Sequence, residues 1–311
     1  MTLALLCSGQ GPQHPAMFAV TGDAPAAARL FDHAAALLGG RDPRALVRDA
    51  DDATLHGNRV GQVLCTLQAV AALAALPGLV AGRRIVAGYS VGELGAWAAA
   101  GLIRPEAALD LAVARAAAMD AASEPGDGLL FVRGLGRGAV DRLCGEHGGA
   151  VAIVNPGDAL VLGGSAGELT ALEGAARAAG AGRVVRVGVR VASHTARLAA
   201  ASTAFRDALS AAEVATRVPP GVRLLSGVDA APVLDVWAGL DKLARQISTT
   251  IRWADGLAAA VEAGASAFLE LGPGRALAEM ASAAHPGVPA RSLDDFRSAD
   301  GARDWIGRVA V

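Results

Sequence analysis

The residues best able to do chemistry stand in one short run, Gly88-Tyr89-Ser90-Val91-Gly92-Glu93. It fits G-x-S-x-G. A β-prone run, Arg84–Ala87, precedes it, and a helical pattern from Val91 to Ala100 follows. That is the context of a nucleophile elbow, in which a sharp strand-to-helix turn lifts a serine hydroxyl out of a sheet. The helix start also offers backbone N–H groups and a positive dipole end to a developing oxyanion. The same residues could equally form a plain Gly/Ser helix cap. A catalytic serine needs a base, and six histidines are available: His14, His33, His56, His147, His194 and His285. His33 and His147 fall in polar helical stretches, His56 in a charged segment, and His285 before a proline. His14 stands beside the Gly-rich turn Ser8-Gly9-Gln10-Gly11-Pro12, within reach of the site. His194 follows the apolar run Val184–Ala192 in Ser193-His194-Thr195 and opens a predicted helix, at a strand end where functional residues gather. Capping that helix is its bland alternative.

Those segments need a frame. Thr2–Cys7 reads as a first strand ending in the Gly-rich turn. Helical patterns span 25–40, 62–80 and 104–122. After the turn-rich break Ser123–Gly128 the pattern becomes strand 129–133, helix 136–146, strands 150–154 and 159–163, helix 165–179 and strand 182–189. Asn155-Pro156-Gly157-Asp158 marks a hairpin between the middle strands. The order βαββαβ is ferredoxin-like. Beyond 194 come helix 195–212, a strand near 222–226, helices 234–246 and 254–263, strand 266–270 and a last helix from about 275. The expected fold is α/β: a parallel-sheet, α/β-hydrolase-like large subdomain at 1–124 and 191–311, with a ferredoxin-like small subdomain inserted at 125–190.

Composition narrows the function classes. The 311 residues are 53% hydrophobic but 4% aromatic, so Ala, Val and Leu must build the core. The 28 basic and 30 acidic residues leave a formal charge of −2, without the basic footprint of a nucleic-acid binder. Lys242 is the sole lysine, a bias of composition that weakens any argument from arginine enrichment. Cys7, Cys65 and Cys144 form no CxxC pair and read as reduced thiols. The N-terminal run lacks a basic lead-in, and no apolar stretch suggests a membrane span. The cytoplasm is the expected compartment. No clustered His/Cys/Glu set suggests a metal.

Taken together, the motifs resemble those of the malonyl-CoA:acyl-carrier-protein transacylase family. Ser8-Gly9-Gln10-Gly11-Pro12-Gln13 is similar to its N-terminal GQGSQ-type turn, and Gly88–Glu93 to its GHSLGE elbow. Arg115 with Met119 resembles its R-x-x-x-M segment. Gln62, Asn155, Ser193-His194, Gln246 with Arg252-Trp253, and Glu270-Leu271-Gly272-Pro273-Gly274 follow in the family's order. Tyr89 replaces the usual His before the serine, Cys7-Ser8 an apolar-Pro pair, and Leu198 a common Met. These departures look more like the transacylase subunit of malonate decarboxylase than the fatty-acid enzyme.

The resemblance implies an acyltransferase that carries malonyl from a CoA-type thioester to the prosthetic-group thiol of an acyl carrier protein, through a malonyl-serine intermediate. Ser90 would be the nucleophile and His194 the base, supported by a backbone carbonyl near Gln246 in place of an acid. Gln10 and Val91 would supply oxyanion N–H groups. Arg115 would hold the malonyl carboxylate, with Gln62, Asn155 and Gln246 supporting the site. No cofactor of its own is implied; the phosphopantetheine-type arm belongs to donor and carrier. Malonyl-CoA, the carrier and other malonate decarboxylase subunits would be its partners, with the fatty-acid or polyketide transacylase as the alternative. A serine esterase or thioesterase is the rival from another class, but would place its histidine late in the chain. A non-catalytic docking subunit is a further rival. Gly9-Gln10-Gly11 lacks a P-loop Lys-Ser/Thr, so nucleotide binding is weakly indicated.

Overall fold

The computed structural model describes residues 2–309. Nine strands form two sheets: β1 Leu3–Cys7, β2 Arg84–Gly88, β3 Gly128–Arg133, β4 Ala150–Asn155, β5 Ala159–Gly164, β6 Arg183–Arg186, β7 Val222–Leu224, β8 Ala267–Glu270 and β9 Ala290–Ser292. The larger sheet is wholly parallel, in the order β7-β2-β1-β8-β9. Every residue of β1, β2 and β8 is buried, as expected for central parallel strands covered on both faces. Leu5, Leu6, Val86, Phe268 and Leu269 form its middle. Small residues let the covering helices come close: the buried helix Asn58–Ala75 packs against both Gly92–Ala99 and Pro105–Ala121.

Register decides where the loops emerge. Cys7 pairs with Gly88, and Leu6 with both Ala87 and Glu270. The segments after β1, β2 and β8 therefore leave the sheet side by side at its carboxyl edge, where open α/β sheets bind ligands.

The smaller sheet is antiparallel, in the order β4-β5-β3-β6. Its chain order with helices Arg137–His147 and Ala166–Ala178 is the ferredoxin-like βαββαβ. Alternation explains its two faces. Leu130, Val132, Leu160 and Leu162 point into a core with the helices, while Leu129, Phe131 and Val161 face the cleft beside the large sheet. The small sheet is tied to the rest of the chain where Val154 N–H donates to the Ile251 carbonyl and Ile251 N–H to that of Ala152, each 2.9 Å, in the segment before the helix Trp253–Glu262.

Several elements differ from the sequence expectation. The 62–80 helix starts at Asn58 and ends at Ala75. Two short helices, Pro43–Asp49 and Asp52–Leu55, are capped by Asp42 and Asp51. His194 does not open a helix; it precedes a short turn at Ala196–Leu198, and the helix proper is Ala199–Ala211. The last region is not one helix from 275 but Ala276–Ala284, β9 and a final helix Ala299–Val309. Among the described residues no helix is long and apolar enough to cross a membrane.

Candidate active site

The site sits where the β1, β2 and β8 ends meet the small sheet, in a cleft of about 600 Å³. Its floor is the turn after β2. A Cβ on Gly88 would lie 2.2 Å from the Glu93 nitrogen, and one on Gly92 2.1 Å from the Cys7 carbonyl oxygen. Only glycine permits this approach of strand and helix. Between them Ser90 is held at φ 57°, and across the cleft His194 is held at φ 63°. Left-handed conformations are costly for such residues and persist only where surroundings enforce them.

Those surroundings are specific. The His194 N–H donates to the Ile247 carbonyl at 2.7 Å, and its Nδ1 lies 2.6 Å from the Gln246 carbonyl oxygen. A carbonyl can only accept, so Nδ1 carries the proton and Nε2 presents its lone pair. Ser90 Oγ lies 2.8 Å from that Nε2. Burial, then the charge of Arg115, pushes the His194 pKa down to about 3, so the ring is neutral at ordinary pH.

Arg115 closes the floor. The residue is 1% exposed, and its guanidinium donates to Gln62 Oε1 at 2.9 Å and Gln246 Oε1 at 3.0 Å. Its Nη2 is 3.5 Å from Ser90 Oγ. Both main partners are neutral amide oxygens. Burial lowers its pKa to about 10, which still leaves it charged at neutral pH. Gln62 is itself anchored by Asn58 Oδ1 at 2.8 Å.

Gln246 is the crossroads. Its carbonyl orients His194 and its Oε1 accepts from Arg115, while its Nε2 donates to the Ser90 carbonyl at 2.8 Å and to Glu93 Oε2 at 2.6 Å. Glu93 is buried, and desolvation pushes its pKa up to about 7. The sequence reading passed over Glu93, although it is the last residue of the elbow motif. It also passed over Glu270 as a site residue; its carboxylate accepts from Ser8 Oγ at 2.7 Å and from the Ala278 N–H at 2.9 Å.

The Gly-rich turn forms the other wall. Gln10 Nε2 donates to the Asn58 carbonyl at 3.3 Å, and Cys65 Sγ to the Gly9 carbonyl at 3.2 Å. Among the described residues, neither the Gln10 nor the Val91 N–H is taken up by a backbone carbonyl or side chain. Cys7 and Cys65 are buried and Cys144 is half-buried. Asn155, at the end of β4, lines the cleft beside Tyr89, whose ring packs edge-on against Trp253. His14 is elsewhere: its Nε2 pairs with Asp294 at 2.7 Å, and His33 pairs with Asp110. Ser90, His194, Gln10 and Asn155 thus line the cleft, Val91 follows Ser90 in the elbow, and Arg115, Gln246 and Gln62 stand behind Ser90 in one hydrogen-bonded chain. None of the remaining histidines lines the cleft; His56 comes nearest, its Nε2 3.3 Å from the Gly11 carbonyl of the Gly-rich turn.

Residues 4–288 match the model of the acyl transferase domain. The chain belongs to that family. Among its relatives is the malonyl CoA-acyl carrier protein transacylase of Mycobacterium tuberculosis, 35% identical over 300 residues, spanning 94% of this chain and 96% of the relative. The crystal structure of MCAT from Mycobacterium tuberculosis superposes with TM-score 0.86 at 31% identity, covering 97% of this chain and all of that one. A type II PKS acyl-carrier protein in complex with its malonyl-transacylase gives TM-score 0.89 at 26% identity, covering 98% and 99%. The matched residues include strands of both sheets and every residue of the candidate site.

Proposed function

We propose that this acyl transferase moves malonyl from malonyl-CoA to the phosphopantetheine thiol of an acyl carrier protein, by way of a malonyl ester on Ser90. The observation that carries the reading is the buried, charged Arg115 guanidinium 3.5 Å from a serine hydroxyl that is hydrogen-bonded to a neutral histidine. A hydrolase of neutral esters has no use for a buried cation there, whereas a malonyl group brings a free carboxylate that a guanidinium can take with two parallel hydrogen bonds.

The chemistry follows from the proton positions. His194 Nε2 takes the proton from Ser90 Oγ as the oxygen attacks the thioester carbonyl. The Gln10 and Val91 N–H groups are free to receive the oxyanion. The intermediate collapses, the C–S bond breaks, and His194 returns the proton to the departing thiolate. The carrier thiol then repeats the sequence in reverse. The malonyl carboxylate on Arg115 also offsets one of the two influences that depress His194, so the bound substrate makes its own base stronger. Ser90, His194, Arg115, Gln62, Gln246 and two backbone N–H groups supply this chemistry, and the reaction needs no cofactor beyond the arm on donor and carrier.

The relatives support an acyl carrier protein of fatty-acid or polyketide synthesis as the acceptor. They do not support the finer assignment to malonate decarboxylase. That second reading rests on Cys7, Ser8, Tyr89 and Leu198 alone. Intact-mass spectrometry after brief incubation with malonyl-CoA tests the function. A malonyl adduct that a carrier protein discharges is the expected result. No adduct would leave a docking subunit, and rapid loss to water without a carrier would indicate a hydrolase. Discharge only by a carrier bearing the dephospho-CoA-type arm would favour the decarboxylase subunit.

The histidine pKa sets a pH signature. A ring of ordinary pKa, near 6.5, would lose most of its neutral form between pH 6 and pH 5, dropping the rate about eightfold. The His194 pKa is lowered, so protonation is displaced to more acid pH and the base survives. Acylation followed by rapid quench should differ by less than about twofold between pH 6 and pH 5. Glu93 is mostly protonated at both values and adds little to this interval. An eightfold fall would mean that His194 is solvated during the reaction.

A further inference from the structure

The Gly-rich turn passes directly against the elbow. A Cβ on Gly9 would lie 2.6 Å from the Tyr89 carbonyl oxygen and 3.3 Å from the Ser90 Cβ, so this backbone touches the residue that carries the nucleophile. The next N–H along the chain is that of Gln10, one of the two free to receive the oxyanion. Such a donor is worth most when its place is fixed before the charge develops, because it then needs no rearrangement during the reaction. Whatever fixes the turn therefore bears on the rate. β1 ends at Cys7, and among the described residues Ser8, Gly9 and Gln10 make no backbone–backbone hydrogen bond. Side chains must hold the turn instead.

Two of those ties are weak. The Cys65 thiol on the Gly9 carbonyl is a poor donor, and the Gln10 amide reaches the Asn58 carbonyl only at 3.3 Å. The short one is Ser8, whose Oγ lies 2.7 Å from Glu270 Oε1. Ser8 is 1% exposed and Glu270 wholly buried. Glu270 closes β8 in register with Leu6, and its second oxygen accepts from the Ala278 N–H in the helix Ala276–Ala284. Its carboxyl group thus joins a central strand and a helix to the first residue of the turn. Desolvation pushes its pKa up to about 8. Either protonation state keeps the tie, because a serine hydroxyl can donate to a carboxylate or accept from a carboxylic acid. The transfer chemistry above makes no use of this buried acid. We propose that Glu270 is a positioning residue, which through Ser8 fixes the Gly-rich turn so that the Gln10 N–H is aimed at the oxyanion. The proposal rests on the acyl-transfer reading above.

The test reads rate, binding and the oxyanion site separately. The malonyl-CoA concentration dependence of single-turnover acylation gives the rate and the Kd. Isotope-edited infrared spectroscopy of the malonyl-Ser90 ester, labelled at its ester carbonyl, reads the hydrogen bonds at that oxygen, since a carbonyl that accepts from N–H groups absorbs at lower wavenumber. Ser8→Ala should acylate about tenfold more slowly, with Kd unchanged and the ester band moved to higher wavenumber. Glu270→Leu should do the same, and the double variant should be scarcely worse than either, because the two residues act as one unit. Glu270→Gln keeps an acceptor for Ala278 and gains a donor for Ser8, so it should stay within about twofold of the wild-type rate with its band in place. Should Ser8→Ala fail to fold with a buried acid left behind, Ser8→Ala combined with Glu270→Gln leaves none and carries the same decision. An unmoved rate and band in Ser8→Ala, or effects that multiply in the double variant, overturn the proposal. Absence of any malonyl adduct on the wild type would instead overturn the acyl-transfer reading.

Discussion

Replacing Ser90 by alanine should abolish the malonyl adduct and lower transfer to the carrier by about 10⁴-fold or more. The expectation follows from the positions of the protons. The Gln246 carbonyl compels His194 to carry its proton on Nδ1, so the lone pair on Nε2 has one hydroxyl to serve, that of Ser90 at 2.8 Å. The other nucleophile types near the elbow are poor substitutes. Burial pushes the Cys7 thiol up to about 12, and Cys65 is raised as well, so neither offers a thiolate. Ser8 donates its hydroxyl to Glu270 and is already committed. His194→Ala should come close to the serine variant, because residues that act as a unit are grossly non-additive. The double variant should then be scarcely worse than either single one. Intact mass and a single-turnover transfer assay read both quantities. An adduct that survives in Ser90→Ala would place the nucleophile elsewhere and sink the mechanism.

The elbow was legible in the sequence because its signals are local. A β-prone run, two glycines at fixed spacing and a helical pattern lie within about sixteen residues, and the steric demand at Gly88 and Gly92 is met by the same few atoms. The βαββαβ order was legible for the same reason, since its strands are short apolar runs and the breaks between its elements carry glycine or proline. His194 was different. Local context narrowed the six histidines to His14 and His194, and only family resemblance settled on His194, because its partners are remote: Ser90 is 104 residues away and Gln246 is 52. Glu93 and Gln246 meet across 153 residues, and no local pattern announces a buried amide placed between an acid and a guanidinium. The elements missed at the end have a local cause. β9 is three residues, Ala-Arg-Ser, too short for any period to register. The final helix buries only Ala302, Trp305 and Ile306 on an otherwise polar surface. The Asp42-Pro43 pair, by contrast, was an available helix-start signal, a cap followed by proline at the first helical position.

Arg115→Ala should change the choice of substrate as well as the rate. A buried guanidinium that hydrogen-bonds no carboxylate, with Glu93 only near it, is held at a cost of desolvation, and the malonyl carboxylate offsets that cost when it binds. Losing one member of such a buried pair costs about 3–5 kcal/mol, or roughly 10²- to 10⁴-fold in kcat/KM for malonyl-CoA. Acetyl-CoA has no carboxylate to lose, so its reaction does not share this term. It does share another. Arg115 also braces Gln62 and Gln246, and Gln246 orients His194, so some loss of rate must appear with either donor. The ratio of malonyl to acetyl acylation separates the two effects, since the bracing cancels and the carboxylate contact remains. That ratio should fall by at least about 10²-fold in Arg115→Ala. Arg115→Lys keeps the charge but lacks the planar fork, and one ammonium cannot span both glutamines and a carboxylate. It should therefore fall between the wild type and Arg115→Ala in the ratio while still losing overall rate. An unchanged ratio with a lowered rate in both variants would make Arg115 a brace only, and the selectivity for a dicarboxylic acyl group would have to come from elsewhere in the cleft.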